Sequence, residues 1–170
     1  CQTSHPDIYA IGECALWDNK IYGLVAPGYV MARIAAKHVL DQESHAFAGA
    51  DMSTKLKLMG VDVASIGDAH AMSPDALSYF YADEAAQVYK KIVVSADKTK
   101  LLGAVLVGCA KEYSDLLQMM LNGLAVPEQP ESLIMPGFDQ STSKSGGSGI
   151  DLLPDSATIC SCNNVSKADI

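Results

Sequence analysis

The sequence predicts an α+β protein: a small antiparallel sheet with one packed helix, preceded by a strand-and-helix segment and followed by a flexible linker. Three observations predict it. Residues 54 to 110 carry alternating or β-prone runs separated by turn residues. Two stretches, "APGYVMARIAAKHVL" and "KEYSDLLQMMLNG", place apolar residues at helical spacing. The run from Gln140 to Gly149 has almost nothing to bury.

Taken in order, residues 1–50 hold a short apolar strand, Asp7–Ile11, a turn at "WDNK", and a helix from about Pro27 to Leu40. Val30, Ile34, Ala35 and Val39 give that helix its apolar face, and Pro27 and Gly28 mark its start, where a missing N–H costs little. "HAFAGAD" breaks the pattern. Residues 52–123 form the α+β unit. "TKLKLMGVDVASIGD" alternates around Gly60 as two strands or one bulged strand, and "LSYFYAD" is aromatic and β-prone. "AQVYKKIVVSADKTKLLGAVLVGCA" reads as a hairpin turning at "SADKTK". The helix after it stops at Asn122-Gly123. Together these elements give a sheet carrying one helix on a face. Residues 127–155 are the linker, and 156–170 begin a further module, with Ser166 and Asp169 spaced as a capping box. Both ends read as cut from a longer chain.

Composition narrows the function. The chain has 170 residues, is 49% hydrophobic, and carries a formal net charge of −8. That balance, with no basic patch, argues against nucleic acid as a partner. No apolar run is long enough to span a membrane, and no secretory leader opens the sequence. Five cysteines, only Cys160 and Cys162 close together, suit a reducing, cytoplasmic setting better than a disulfide framework.

The stretch "TSHPDIYAIGECA" holds the first candidate site. A strand ending in Gly12-Glu13, followed by a helix opening near Gly28, has the parts that hold a dinucleotide in two-domain flavoproteins. The acid accepts hydrogen bonds from ribityl hydroxyls, glycine admits close backbone approach, and helix N–H groups face the pyrophosphate. The same residues also suit a strand ending in a surface turn. "VASIGDAHA" repeats the form at Gly67-Asp68, but no glycine-started helix follows it, so that pair is read as a structural turn.

The second candidate is Cys160-Ser161-Cys162. Two thiolates at this spacing can share one iron or zinc, or can be an idle pair. Cys109 reads as a small core residue, and Cys14 has no neighbouring cysteine for a dithiol relay. His5, His38, His45 and His70 lack metal-ligand spacing, and Met59, Met72, Met119 and Met120 read as core fillers. Trp17 fits either a flavin edge or a plug in its turn.

"TSHPDIYAIGECA" resembles the second flavin-contacting motif of the pyridine-nucleotide-dependent flavoprotein reductases, with Glu13 where Asp is usual. "GECA" with "NKIYGLVAPGYVMARIAAKHV" is similar to the large-subunit family of assimilatory NAD(P)H-dependent nitrite reductases. Residues from "DMSTKLKLMGVDVASIGDA" to "LLQMMLNG" resemble the rubredoxin-reductase-type C-terminal domain. "CSCNNVSKADI" is similar to the start of a bacterioferritin-associated-ferredoxin-like [2Fe–2S] domain, whose second cysteine pair is absent here. The resemblance implies the end of a flavin-binding α/β domain (1–50), the small α+β domain (52–123), a linker (127–155) and a truncated cluster domain (156–170). It implies FAD contacts at Gly12, Glu13 and Gly28, and cluster ligands at Cys160 and Cys162. It further implies an electron path from NAD(P)H through FAD and iron–sulfur centres to a sirohaem–[4Fe–4S] site that reduces nitrite to ammonium. The parent would work with a small subunit or as a homo-oligomer. This chain alone would be inactive and hold no cofactor stably. Two further readings stand beside this one: another FAD-dependent reductase, of the rubredoxin or ferredoxin type, and a non-catalytic docking module with zinc at the cysteine pair.

Overall fold

Asp18 and Asn19 both adopt positive φ, 48° and 56°. Such geometry makes a two-residue hairpin turn, and Asp and Asn tolerate it better than most side chains. In the computed structural model this turn joins β1 (Leu16–Trp17) to β2 (Lys20–Ile21). The structure describes residues 1–43, 45–137, 153–160 and 165–170, in two units, Cys1–Met52 and Ser53–Ile170.

In the first unit, helix α1 (Val25–Val39) starts two residues before the expected Pro27, which becomes its third residue. First-turn N–H groups have no intrahelical acceptor, so proline there sacrifices no hydrogen bond. The core is aromatic. Phe47 is buried and stands edge-on to both Trp17 and Tyr22, each at a ring separation of 5.3 Å. Met31 of α1 is buried against this group. Trp17 is therefore a packing residue of this core.

One expectation fails in this unit. Residues 7–11 do not form a buried strand: only an isolated antiparallel bridge, Gln2 with Tyr9, pairs them, and Ile8 and Ile11 are exposed. Thr3 N–H donates to the Ile8 carbonyl at 2.9 Å and Ala10 N–H to that of Cys1 at 3.0 Å. A buried strand needs partners along both edges. Among the described residues, only the stretch from Cys1 to Thr3 pairs with this one.

The second unit is an antiparallel sheet in the order β3-β4-β7-β6-β5, with β3 (Thr54–Leu58), β4 (Val61–Gly67), β5 (Leu77–Asp83), β6 (Val88–Val94) and β7 (Leu101–Val107). Met59 and Gly60, at φ 50° and 87°, make the β3–β4 connection a tight turn, so the run around Gly60 is two strands and not one bulged strand. Helix α2 (Tyr113–Leu121) covers one face, and Gly123 at φ 62° ends it. Ala64, Ile66, Ile92, Val94, Ala104 and Leu106 point at that helix by register and pack with Leu116. Each large aliphatic side chain buried there contributes about 1.5–3 kcal/mol. Lys90, only 3% exposed, donates to Glu112 Oε1 at 2.6 Å and ties β6 to the start of α2.

Of the methionines read as core fillers, Met119 and Met120 pack against the core. Met59 (96% exposed) and Met72 (82%) do not, because both sit in turns beyond strand ends. Cys109 lies just past β7 and is half-buried. Strands β8 (Thr158–Cys160) and β9 (Val165–Ser166) pair at the end of the chain, where Ser166 N–H donates to Asp169 Oδ2 at 2.7 Å, closing the capping box. The linker expected at Gln140–Gly149 lies outside the described residues. No described helix is long and apolar enough to cross a membrane.

Candidate functional site

Gly12, Glu13 and Gly28 come together in the first unit. Gly12 opens a 3-10 turn, Gly12–Cys14, at φ 73°, with nothing within 4 Å of where a Cβ would stand. The residue after it therefore turns outward without a side chain beneath it. Gly28, the fourth residue of α1, packs against Gly12: a Cβ on it would touch the Gly12 Cα at 3.7 Å. The two glycines thus let the turn and the helix approach closely, while the Cβ side of Gly12 stays open.

The glutamate is placed by the same turn. Glu13 is exposed, and its carboxylate has no hydrogen-bond partner among the described residues. Its Oε1 lies 3.3 Å from the position a Cβ on Gly23 would take, so it rests beside the residue that precedes the helix cap Leu24. Leu24 supplies no side-chain cap to α1. Uncapped first-turn N–H groups attract anions and hydroxyl oxygens, and an unpaired carboxylate accepts from hydroxyls. The arrangement thus offers donors and an acceptor side by side.

Two contributors were not visible in the sequence. Met31 receives the Gly12 N–H on its sulfur at 3.2 Å, which pins the turn onto α1. Gly23 leaves room for the Glu13 carboxylate. Met31 stands one helical turn beyond Gly28, a spacing that would have pointed to it had the turn's docking on α1 been known. Cys14 is exposed and donates its thiol to the Ile11 carbonyl within the same turn, at 3.3 Å.

Gly67-Asp68, the look-alike, has the opposite environment. Gly67 has φ 47°, and a Cβ there would collide with the Leu102 carbonyl oxygen and the Met120 sulfur. The Asp68 carboxylate accepts from Met72 N–H at 2.9 Å and Ser73 N–H at 2.7 Å. Burial pushes its pKa up, but the Met72 amide, the Ser73 hydroxyl and the Ser73 amide together outweigh burial, with a smaller pull from His70, and hold it below the usual 3.8. This pair is a structural turn, as read from the sequence.

The cysteine pair is only partly in view. Cys160 ends β8, its backbone paired with Val165, and Cys162 lies outside the described residues. Among the described residues no three His, Cys, Asp or Glu side chains are grouped to hold a metal ion.

Residues 53–124 match the family model of the rubredoxin NAD+ reductase C-terminal domain. Across all 170 residues the chain is 57% identical to the NADH nitrite reductase large subunit of Escherichia coli, and 62% identical to the NAD(P)H nitrite reductase large subunit of Klebsiella oxytoca. It covers 20% and 18% of those proteins, so it spans about a fifth of the length of the curated relatives it matches. A pyridine nucleotide-disulfide family oxidoreductase from Enterococcus faecalis superposes with a TM-score of 0.52 at 21% identity, over 74% of this chain and 34% of that one. That likeness concerns the fold. The sequence resemblance holds: this chain is similar, over its whole length, to a segment of nitrite reductase large subunits, and residues 53–124 are similar to the rubredoxin reductase C-terminal domain.

Proposed function

We propose that this chain is the part of an NAD(P)H-dependent nitrite reductase large subunit that completes a flavin site and begins an iron–sulfur relay. The observation that carries the reading is the full-length similarity to nitrite reductase large subunits of two bacteria. The residues present fit a flavin: an unpaired Glu13 carboxylate, an uncapped start to α1, and open space on the side of Gly12 where a Cβ would stand. Bound there, FAD would take a hydride from NAD(P)H and release electrons singly.

The chain's own part is positioning. Glu13 accepts hydrogen bonds from ribityl hydroxyls, and its extra methylene relative to aspartate reaches across Gly23 to do so. Gly12 lets the backbone approach, its own N–H being held by Met31. Gly28 lets the Gly12 turn pack close to the start of α1, whose first-turn N–H groups face the pyrophosphate. Cys160 and Cys162 supply two thiolates to a [2Fe–2S] cluster whose other two ligands come from further residues. Sirohaem and [4Fe–4S], where nitrite becomes ammonium, belong to the rest of such a subunit. The setting is cytoplasmic, and a small subunit or a second copy completes the assembly. The chain alone turns over no substrate.

The match to the rubredoxin reductase domain favours a second reading, a flavoprotein reductase of rubredoxin or ferredoxin with the same flavin contacts. Exchanging this chain for the matching segment of the Escherichia coli large subunit separates the two. The proposal expects a chimera that holds FAD and reduces nitrite with NADH. A folded, flavin-loaded chimera that reduces one-electron acceptors but not nitrite would overturn it.

A further inference from the structure

Four asparagines occur in the chain, and Asn122 alone is followed by glycine. It is the residue on which α2 ends, at φ −99° and ψ 3°. Gly123 after it is exposed, at φ 62°, with no atom within 4 Å of where a Cβ would stand. A side chain on the following residue ordinarily crowds the backbone nitrogen beside an asparagine. Here neither a side chain nor a neighbour does so on that side. The asparagine amide and the glycine nitrogen are the two groups that can close a five-membered imide.

The last turn of α2 opposes that closure. Asn122 Nδ2 donates to the Gln118 carbonyl at 3.0 Å and to Gln118 Oε1 at 2.9 Å, and Asn122 N–H donates to the same carbonyl at 3.0 Å. Ring closure turns the Asn122 side chain towards Gly123 and so breaks both bonds from Nδ2. The next tie is weaker: Gly123 N–H reaches the Met120 carbonyl at 3.3 Å, beyond the usual range of about 2.9–3.0 Å. Helix ends open locally at lower free energy than the core they cover.

We propose that Asn122 is a site of deamidation, open when the last turn of α2 frays and guarded by Gln118. The deprotonated Gly123 nitrogen attacks Asn122 Cγ and forms the new N–C bond. The Cγ–Nδ2 bond breaks, and Nδ2 leaves as ammonia with the proton that Gly123 gave up. Water then adds to one of the two imide carbonyls and opens the ring to aspartate or isoaspartate. Water is the one co-reactant, and no electron changes hands. The product puts a carboxylate at the C-terminal end of α2, where the helix dipole disfavours negative charge. Ionised, it cannot donate to either Gln118 oxygen. The end of α2 then loosens, together with the Lys100–Ala125 bridge that follows it. The site does not rest on the flavin reading.

Incubation of the full chain at mildly alkaline pH, followed by peptide mapping for aspartate and isoaspartate at residue 122, tests it. Conversion is expected in the folded chain, about tenfold slower than in the chain unfolded in urea. Gln118→Ala keeps a strong helix former and is expected to raise the folded rate about fivefold, the worth of one hydrogen bond, with the unfolded rate unchanged. Gln118→Glu retains an acceptor and is expected to keep the slow rate. Asn122→Asp is expected to lower the thermal midpoint and to speed amide exchange at Gly123 and Leu124. A folded chain left unconverted while the unfolded chain converts fully, equal folded rates in the parent and Gln118→Ala, an equal gain in the unfolded Gln118→Ala chain, or unchanged exchange in Asn122→Asp would each overturn the proposal.

Discussion

Two glycine–carboxylate pairs, Gly12-Glu13 and Gly67-Asp68, share a sequence form and a positive glycine φ, yet their surroundings are inverted. At Gly67 the space a side chain would need is filled by the Leu102 carbonyl and Met120, and Asp68 spends its carboxylate on the amides of its own loop. At Gly12 that space is empty, and Glu13 has nothing to accept from among the described residues. The difference teaches how a motif is to be judged. A carboxylate satisfied by its own backbone holds a turn together, while one left exposed beside an uncapped helix can still bind something.

Substitutions sharpen the contrast, and the largest effect belongs to Gly67→Ala. It meets a positive φ and a collision with backbone at once, so urea unfolding should show a loss of about 3 kcal/mol or more. Gly12→Ala meets positive φ in open space and should cost about 1–2 kcal/mol. Equal losses at the two glycines would end the comparison.

Asp68→Ala comes next, leaving two amides without their acceptor, at about 1 kcal/mol in the same assay. Because the folded pKa of Asp68 is depressed, its contribution is present above the usual 3.8 and is lost as pH falls through the lower folded value. Asp68→Asn should therefore flatten the acid limb of the stability profile. Asp97 behaves alike: Ser95 Oγ–H, Thr99 N–H and Thr99 Oγ–H hold its pKa at about 2, so Asp97→Asn should remove a loss that develops between pH 3.8 and about 2.

Glu13→Ala should have the smallest effect on stability, within about 0.5 kcal/mol, since the carboxylate touches no donor. In the Escherichia coli chimera the same change should lower flavin retention after gel filtration. Unchanged flavin occupancy there would remove the ribityl role from Glu13.

Much of the fold was legible. The period-two runs and the Asn122-Gly123 stop are local signals, and the sheet strands and α2 lie where those signals put them. The run around Gly60, in the sequence two strands or one bulged strand, was decided by the Met59-Gly60 turn. The opening segment was harder. Asp7–Ile11 reads as a buried strand because its side chains are apolar, but burial depends on which strands lie alongside it. Met59 and Met72 misled for the same reason: hydrophobicity states what a residue tolerates, not what covers it.

The sequence by itself determined the helices, the hairpin turning at "SADKTK" and the full-length similarity to nitrite reductase large subunits, because these follow from spacing and residue type along the chain. Tertiary structure alone decided which Gly-acid pair spends its carboxylate inward and that Met31 holds the Gly12 N–H. Each of those depends on residues far apart in sequence meeting in space, and neither φ nor hydropathy at a single position records which partner will arrive.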